Sequence, residues 1–197
     1  MSRLFSRTDQ SFLGHWWWTV DRLLLAATFV LMLCGVLLVT TASPPVATRI
    51  GLSHSHFLIR HLVLLVPSVM TMLGVSLLSP RSIWRLCSLA LPVGFLALIY
   101  VLLFGMEIKG AQRWIHLPFF SLQPSEFIKP VFAVTIAWFI ARQKESQSFP
   151  GYKMAVGLYV ITAALLLLQP DLGMTFVLSS IFGAQIVLAG LPMMFVV

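Results

Sequence analysis

Acidic residues are scarce in this sequence, and charge of either sign is thin. Of 197 residues only six are Asp or Glu, and charged types together make up 10%. A soluble globule of this size needs far more polar surface to coat its core. With 59% hydrophobic residues and a mean hydropathy of +0.95, water is therefore not the chain's main solvent. Cysteine is nearly absent too. Cys34 and Cys87 fall within or at the edge of apolar runs, which argues against a disulfide framework and offers no metal-ligand spacing. There is no glycine-rich phosphate loop, no nucleophile elbow and no pair of carboxylates at catalytic spacing. No cofactor is identifiable, and a need for a divalent cation is left open. The net charge of +7 does not point to nucleic acid, because the basic residues stand singly in gaps between apolar runs rather than along one face.

What the chain has in abundance is long apolar segments, at about 20–42, 58–79, 83–104, 124–141, 154–170 and 172–190. Each is near the length a helix needs to cross roughly 30 Å of hydrocarbon. Backbone groups in lipid must be satisfied within their own segment, so helices are the natural reading. The fold class is all-α: a polytopic membrane protein with about six transmembrane helices, and "LPMMFVV" at 191–197 reads as the start of another. Residues 1–19 form a cytoplasmic N-terminal segment with an interfacial Trp cluster, and 20–197 a transmembrane domain. A basic start and "VTTAS" imitate a cleaved signal, but the first apolar run is too long for one and further spans follow.

Basic residues set the orientation. With the N-terminus cytoplasmic, the inner side holds Arg3, Arg7, Arg22, Arg81, Arg85, Arg142, Lys144 and Lys153. Arg49, Arg60, Lys109, Arg113 and Lys129 then fall on the outer side or its edge. The positive-inside bias favours that arrangement. Trp16, Trp17, Trp18, Trp84, Trp114 and Trp138 all lie near span limits, where amphipathic rings prefer the headgroup level. "SPPVATRIGL" reads as an outer loop stiffened by Pro44 and Pro45. His54, His56 and His61 beside Arg60 read as amphipathic interface residues rather than metal ligands.

Two polar interruptions break the outer side. In "KGAQRWIHLPFFSLQPSEFIKP" (109–130), Lys109, Arg113, Glu126 and Lys129 stand beside Gln112, Gln123 and Ser125. Pro124 suits the first turn of a helix, and Glu126 in that turn is favoured by the helix dipole. Glu126 and Lys129 are three apart, hence neighbours able to pair. Pro130 leaves the Glu126 carbonyl without its helical donor, predicting a polar cluster at a kink. In "LLLLQPDLGMTF", Gln169, Pro170, Asp171 and Gly173 end one helix and allow a reversal. There Asp171 is expected to accept bonds from following backbone amides rather than to act as a base. Both turns face outward by parity; whether they border one cavity is left open by the sequence.

"KGAQRW", "QPSEFIK" and "QPDLG", in that order, resemble the signature segments of the SEDS family of shape, elongation, division and sporulation proteins. The early loop "TTASPPVATRIGLSHSHFLIRH" is more similar to the FtsW-like division branch than to the RodA-like elongation branch, although "GAQRW" occurs in a RodA-like form. The resemblance implies a ten-helix fold, of which this sequence carries about six helices and is cut short at its C-terminus. It implies a peptidoglycan glycosyltransferase of cell division, polymerising lipid II at the outer face of the cell inner membrane, at the septum. Implied partners are lipid II, a class B penicillin-binding protein, other division membrane proteins and membrane lipid, with no nucleic acid. The family's loop falls on Lys109, Gly110, Ala111, Arg113 and Trp114, its helix-start motif on Gln123, Pro124, Ser125, Glu126 and Lys129, and its later turn on Gln169, Pro170, Asp171 and Gly173. Lys109, Arg113, Gln123, Ser125, Glu126 and Lys129 are the expected substrate-binding set; Gly110, Trp114, Pro124, Gln169, Pro170, Asp171 and Gly173 the expected structural set. Pro130 departs from the aliphatic residue many relatives carry. The family's essential aspartate is expected beyond residue 197, so no catalytic residue is assigned and the isolated chain is expected to be inactive. A lipid II flippase and a non-catalytic division scaffold are the competing readings.

Overall fold

The computed structural model describes residues 12–105, 107–108, 111–116, 121–146 and 148–190. Helices dominate: α1 (Phe12–Thr19), α2 (Arg22–Arg49), α3 (His56–Ser76), α4 (Pro80–Phe104), α5 (Pro124–Glu145), α6 (Gly151–Leu168) and α7 (Leu172–Leu188). Between α4 and α5 lie four two-residue strands, β1 (Glu107–Ile108), β2 (Ala111–Gln112), β3 (Ile115–His116) and β4 (Ser121–Leu122), paired antiparallel as β1–β2 and β3–β4. The expected span at 191–197 and the basic residues Arg3 and Arg7 lie outside the described residues.

Five helices, α2 to α6, are long and apolar enough to cross a membrane. The sixth expected span, α7, has 17 residues, the lower end of what a crossing needs. The protein is thus an all-helical polytopic membrane protein in its described core.

The chain divides into two compact units, Met1–Leu78 and Ser79–Val197. In the first, α2 packs on α3, and Asp21 caps α2 by accepting from the amides of Leu23 at 2.9 Å and Leu24 at 3.0 Å. Arg22 lies over the rings of Trp17 and Trp18, 5.3 and 4.8 Å from their centroids. The sequence predicts a loop at Pro44 and Pro45, but α2 runs through both to Arg49. Two prolines cost the helix two amide donors. The turns beyond them still close: Thr48 Oγ1 donates to the Pro44 carbonyl at 3.1 Å and the Ile50 amide to the Ala47 carbonyl at 3.3 Å. Gly51, at φ 74°, then turns the chain away.

In the second unit α5 is central, packed against α4, α6 and α7. Ile128, Phe132, Ile136 and Ile140, four apart, form its buried stripe, and Leu178, Phe182 and Ile186 repeat the spacing on α7. Polar ties lock the register. Tyr159 stacks on Phe182 at 4.5 Å with its hydroxyl 2.9 Å from Ser179 Oγ, and Gln185 Nε2 donates to the Ala133 carbonyl at 2.8 Å. Trp84 of α4 stacks on Trp138 of α5 at 4.6 Å, so these two rings pack on each other as well as lying near helix ends. This bundle holds one end of α5 against the α6–α7 turn.

Candidate functional site

The site begins at the start of α5. Pro124 occupies its first turn, where a missing amide costs nothing, and both Pro124 and Ser125 are buried. Gln123 precedes it in an extended conformation and turns its side chain inward. Its Nε2 donates to Ser125 Oγ at 2.9 Å and to Asp171 Oδ2 at 3.3 Å.

The α6–α7 turn is built around Asp171. Its amide donates to the Leu166 carbonyl at 3.0 Å, and its Oδ1 accepts from the Met174 amide at 3.3 Å, capping α7. Gln169, 2% exposed, donates from Nε2 to the Leu98 carbonyl of α4 at 2.9 Å, fastening the turn to the bundle.

Arg113, between β2 and β3, joins this turn to the interhelical segment. Its Nε donates to the Gln169 carbonyl at 3.5 Å, its Nη2 donates to the Pro170 carbonyl, and its Nη1 is 3.7 Å from Asp171 Oδ1. The two polar turns therefore meet, across more than fifty residues of sequence. The Asp171 side chain is 5% exposed and is engaged by Arg113, Gln123 and the Met174 amide, which leaves it no role as an open base.

Lys129, one turn into α5, forms an ion pair with Glu126 at 2.7 Å, as the three-residue spacing predicts. Its Nζ also lies 3.4 Å from Met174 Sδ. Thioether sulfur is a weak acceptor, and an ammonium carries three donors, so Lys129 retains capacity for a stronger anionic oxygen. Its side chain is 19% exposed and that of Glu126 48%, which leaves the pair open on one side. Helix α5 continues unbroken through Pro130.

Of the remaining expected residues, Lys109 and Gly110 lie outside the described residues. Trp114 is exposed between β2 and β3. Gly173 stands in the first turn of α7, where an added Cβ would meet nothing within 4 Å, so packing does not demand glycine there. Two participants carried no signal in the sequence. Met174 reads as an ordinary apolar residue of a span, and the Leu98 contribution is a backbone carbonyl that any residue would supply.

A family model for cell cycle proteins of the FtsW, RodA and SpoVE type matches residues 21–197. A Caulobacter vibrioides protein named probable peptidoglycan glycosyltransferase FtsW is 43% identical over 190 residues, covering 95% of this chain and 48% of that protein. Proteins of the same name from Idiomarina loihiensis and Coxiella burnetii are 35% and 36% identical, covering 86% and 88% of this chain and 42% and 48% of theirs. The chain thus spans about half the length of these relatives. The crystal structure of the Thermus thermophilus rod shape determining protein RodA superposes with a TM-score of 0.72 at 28% identity, over 89% of this chain and 56% of that one.

Proposed function

The chain belongs to the FtsW, RodA and SpoVE family of cell cycle proteins, and on that premise we propose that its α5 start and α6–α7 turn form the lipid-pyrophosphate platform of a peptidoglycan glycosyltransferase acting in cell division. The observation that carries this reading is Lys129, whose ammonium is held by Glu126 and otherwise meets only a soft sulfur among its described polar partners.

Lipid II presents a pyrophosphate and sugars at headgroup level. In the transfer, a sugar hydroxyl of the acceptor attacks the anomeric carbon of the donor, the bond from that carbon to the pyrophosphate oxygen breaks, and the lipid pyrophosphate departs with the electron pair. Lys129 offsets the charge growing on the leaving oxygen, and a positioned cation of this kind lowers the barrier most when fixed beforehand. Glu126 fixes it. Arg113 acts at one remove: its three nitrogens grip the 169–171 turn, so it holds the wall of the platform, while its exposed edge can still face phosphate. Gln123 and Ser125 order the floor.

The platform binds and orients; its two carboxylates are committed to Lys129 and to the α7 cap, so the proton of the attacking hydroxyl goes to a base outside this cluster. Transfer at the outer face of the inner membrane, at the septum, with a class B penicillin-binding protein as crosslinking partner, completes the proposal.

The test is Lys129→Ala in the full-length protein expressed in its own membrane, with glycan polymer from lipid II as the readout. Lost polymer with normal partner recruitment supports the enzyme. Unchanged polymer removes Lys129 from the mechanism, and loss of recruitment with polymer retained favours a scaffold.

A further inference from the structure

The first unit carries a groove that the platform does not use. It is a shallow groove of about 560 Å³, open along one side, lined by Leu38, Val39, Ala42 and Val46 of α2 and by Phe57, Arg60, His61 and Leu64 of α3. That volume falls in the range typical of ligand pockets, roughly 300–1,000 Å³. Three features give it polarity. Arg60, in the second turn of α3, has no carboxylate partner among the described residues. The described acidic residue of this unit, Asp21, caps the opposite end of α2. The first turn of α3 has no side-chain cap at Ser55 and no acidic residue, so although the His56 amide donates to the Ser53 carbonyl at 3.0 Å, no negative charge offsets the helix dipole there. Ser43, also on the groove, has a buried hydroxyl without a partner, whereas Thr40, Thr41 and Thr48 on the same helix all donate to carbonyls about one turn back.

We propose that this groove seats an anionic phospholipid, one acyl chain lying along the apolar wall and the phosphate on Arg60 and the first turn of α3. Charge decides the occupant. An apolar helix laid over the groove would bury the Arg60 guanidinium unpaired, a large desolvation cost, whereas a phospholipid brings its own anion to the level where a snorkelling arginine reaches. A basic side chain at a membrane surface favours anionic lipid by about fivefold.

The probe is a nanodisc of equal phosphatidylglycerol and phosphatidylcholine holding the chain, with lipid retained after detergent extraction counted by native mass spectrometry. Retained phosphatidylglycerol should exceed phosphatidylcholine by about fivefold and fall towards parity in Arg60→Gln. Ala42→Phe, which fills the wall and leaves Arg60 in place, should lower total retained lipid. Equal retention of the two lipids by the unaltered chain, or an unchanged ratio in Arg60→Gln with normal helicity by circular dichroism, overturns the proposal.

Discussion

Gln123 donates a 3.3 Å hydrogen bond to the carboxylate of Asp171, forty-eight residues further along the chain. The residue before α5 is thereby tied to the residue that caps α7, and the entry of one span is fixed to the turn between two others. The same amide nitrogen reaches Ser125 Oγ at 2.9 Å, so the tie and the first turn of α5 share one group.

Removing that amide leaves a nearly buried carboxylate oxygen short of a donor, which costs about 1–3 kcal/mol. Gln123→Leu is expected to lower Tm in detergent by several degrees while leaving total helicity unchanged. An unaltered Tm would mean the bond contributes nothing net.

Arg113 spans three acceptors with a planar fork, which a lysine cannot reproduce. Both Arg113→Lys and Arg113→Met should destabilise the second unit, the Met variant by about 2–4 kcal/mol because Asp171 is left buried without its cation. Thermal melts of the two variants would check the order, with Lys falling between Met and the unaltered protein.

Asp171 has two separable duties. Asn keeps the cap on the Met174 amide but discards the charge facing Arg113; Ala discards both. Since losing an N-cap costs about 1 kcal/mol, stability should fall in the order Asp, Asn, Ala. Hydrogen exchange at the first turn of α7 should accelerate markedly in Ala alone.

Pro44 and Pro45 lie inside α2, so replacing them with alanine restores two amide donors to a helix. A proline inside a helix costs up to about 3 kcal/mol; the double Pro→Ala variant should therefore be more stable and slower to exchange at residues 40–49. A decrease in stability would fit the loop that the sequence suggests instead.

Those prolines show where sequence reasoning stops. The spans were legible because each apolar run is long, and the start of α5 because Pro124, Glu126 and Lys129 obey local rules of helix entry and three-residue pairing. The continuation of α2 was not, since proline signals a break in water and the gain from keeping later amides paired depends on the surroundings. The network at Asp171 was only half legible. Polar residues at 113, 123 and 171 stood out from their apolar neighbours, but their meeting depends on α5 packing against α4, α6 and α7 through Ile128, Phe132, Leu178 and their neighbours. Met174 and the Leu98 carbonyl carry no chemical mark at all, and only the folded bundle brings them to Lys129 and Gln169.

The central claim is that Lys129 is the cation that receives a lipid-linked pyrophosphate, and binding of lipid II to the chain in nanodiscs tests it most directly. A charge-assisted hydrogen bond is worth about 1.5–3 kcal/mol, so Lys129→Met should weaken binding by roughly 10- to 100-fold at unchanged helicity. An affinity equal to that of the unaltered chain would contradict it.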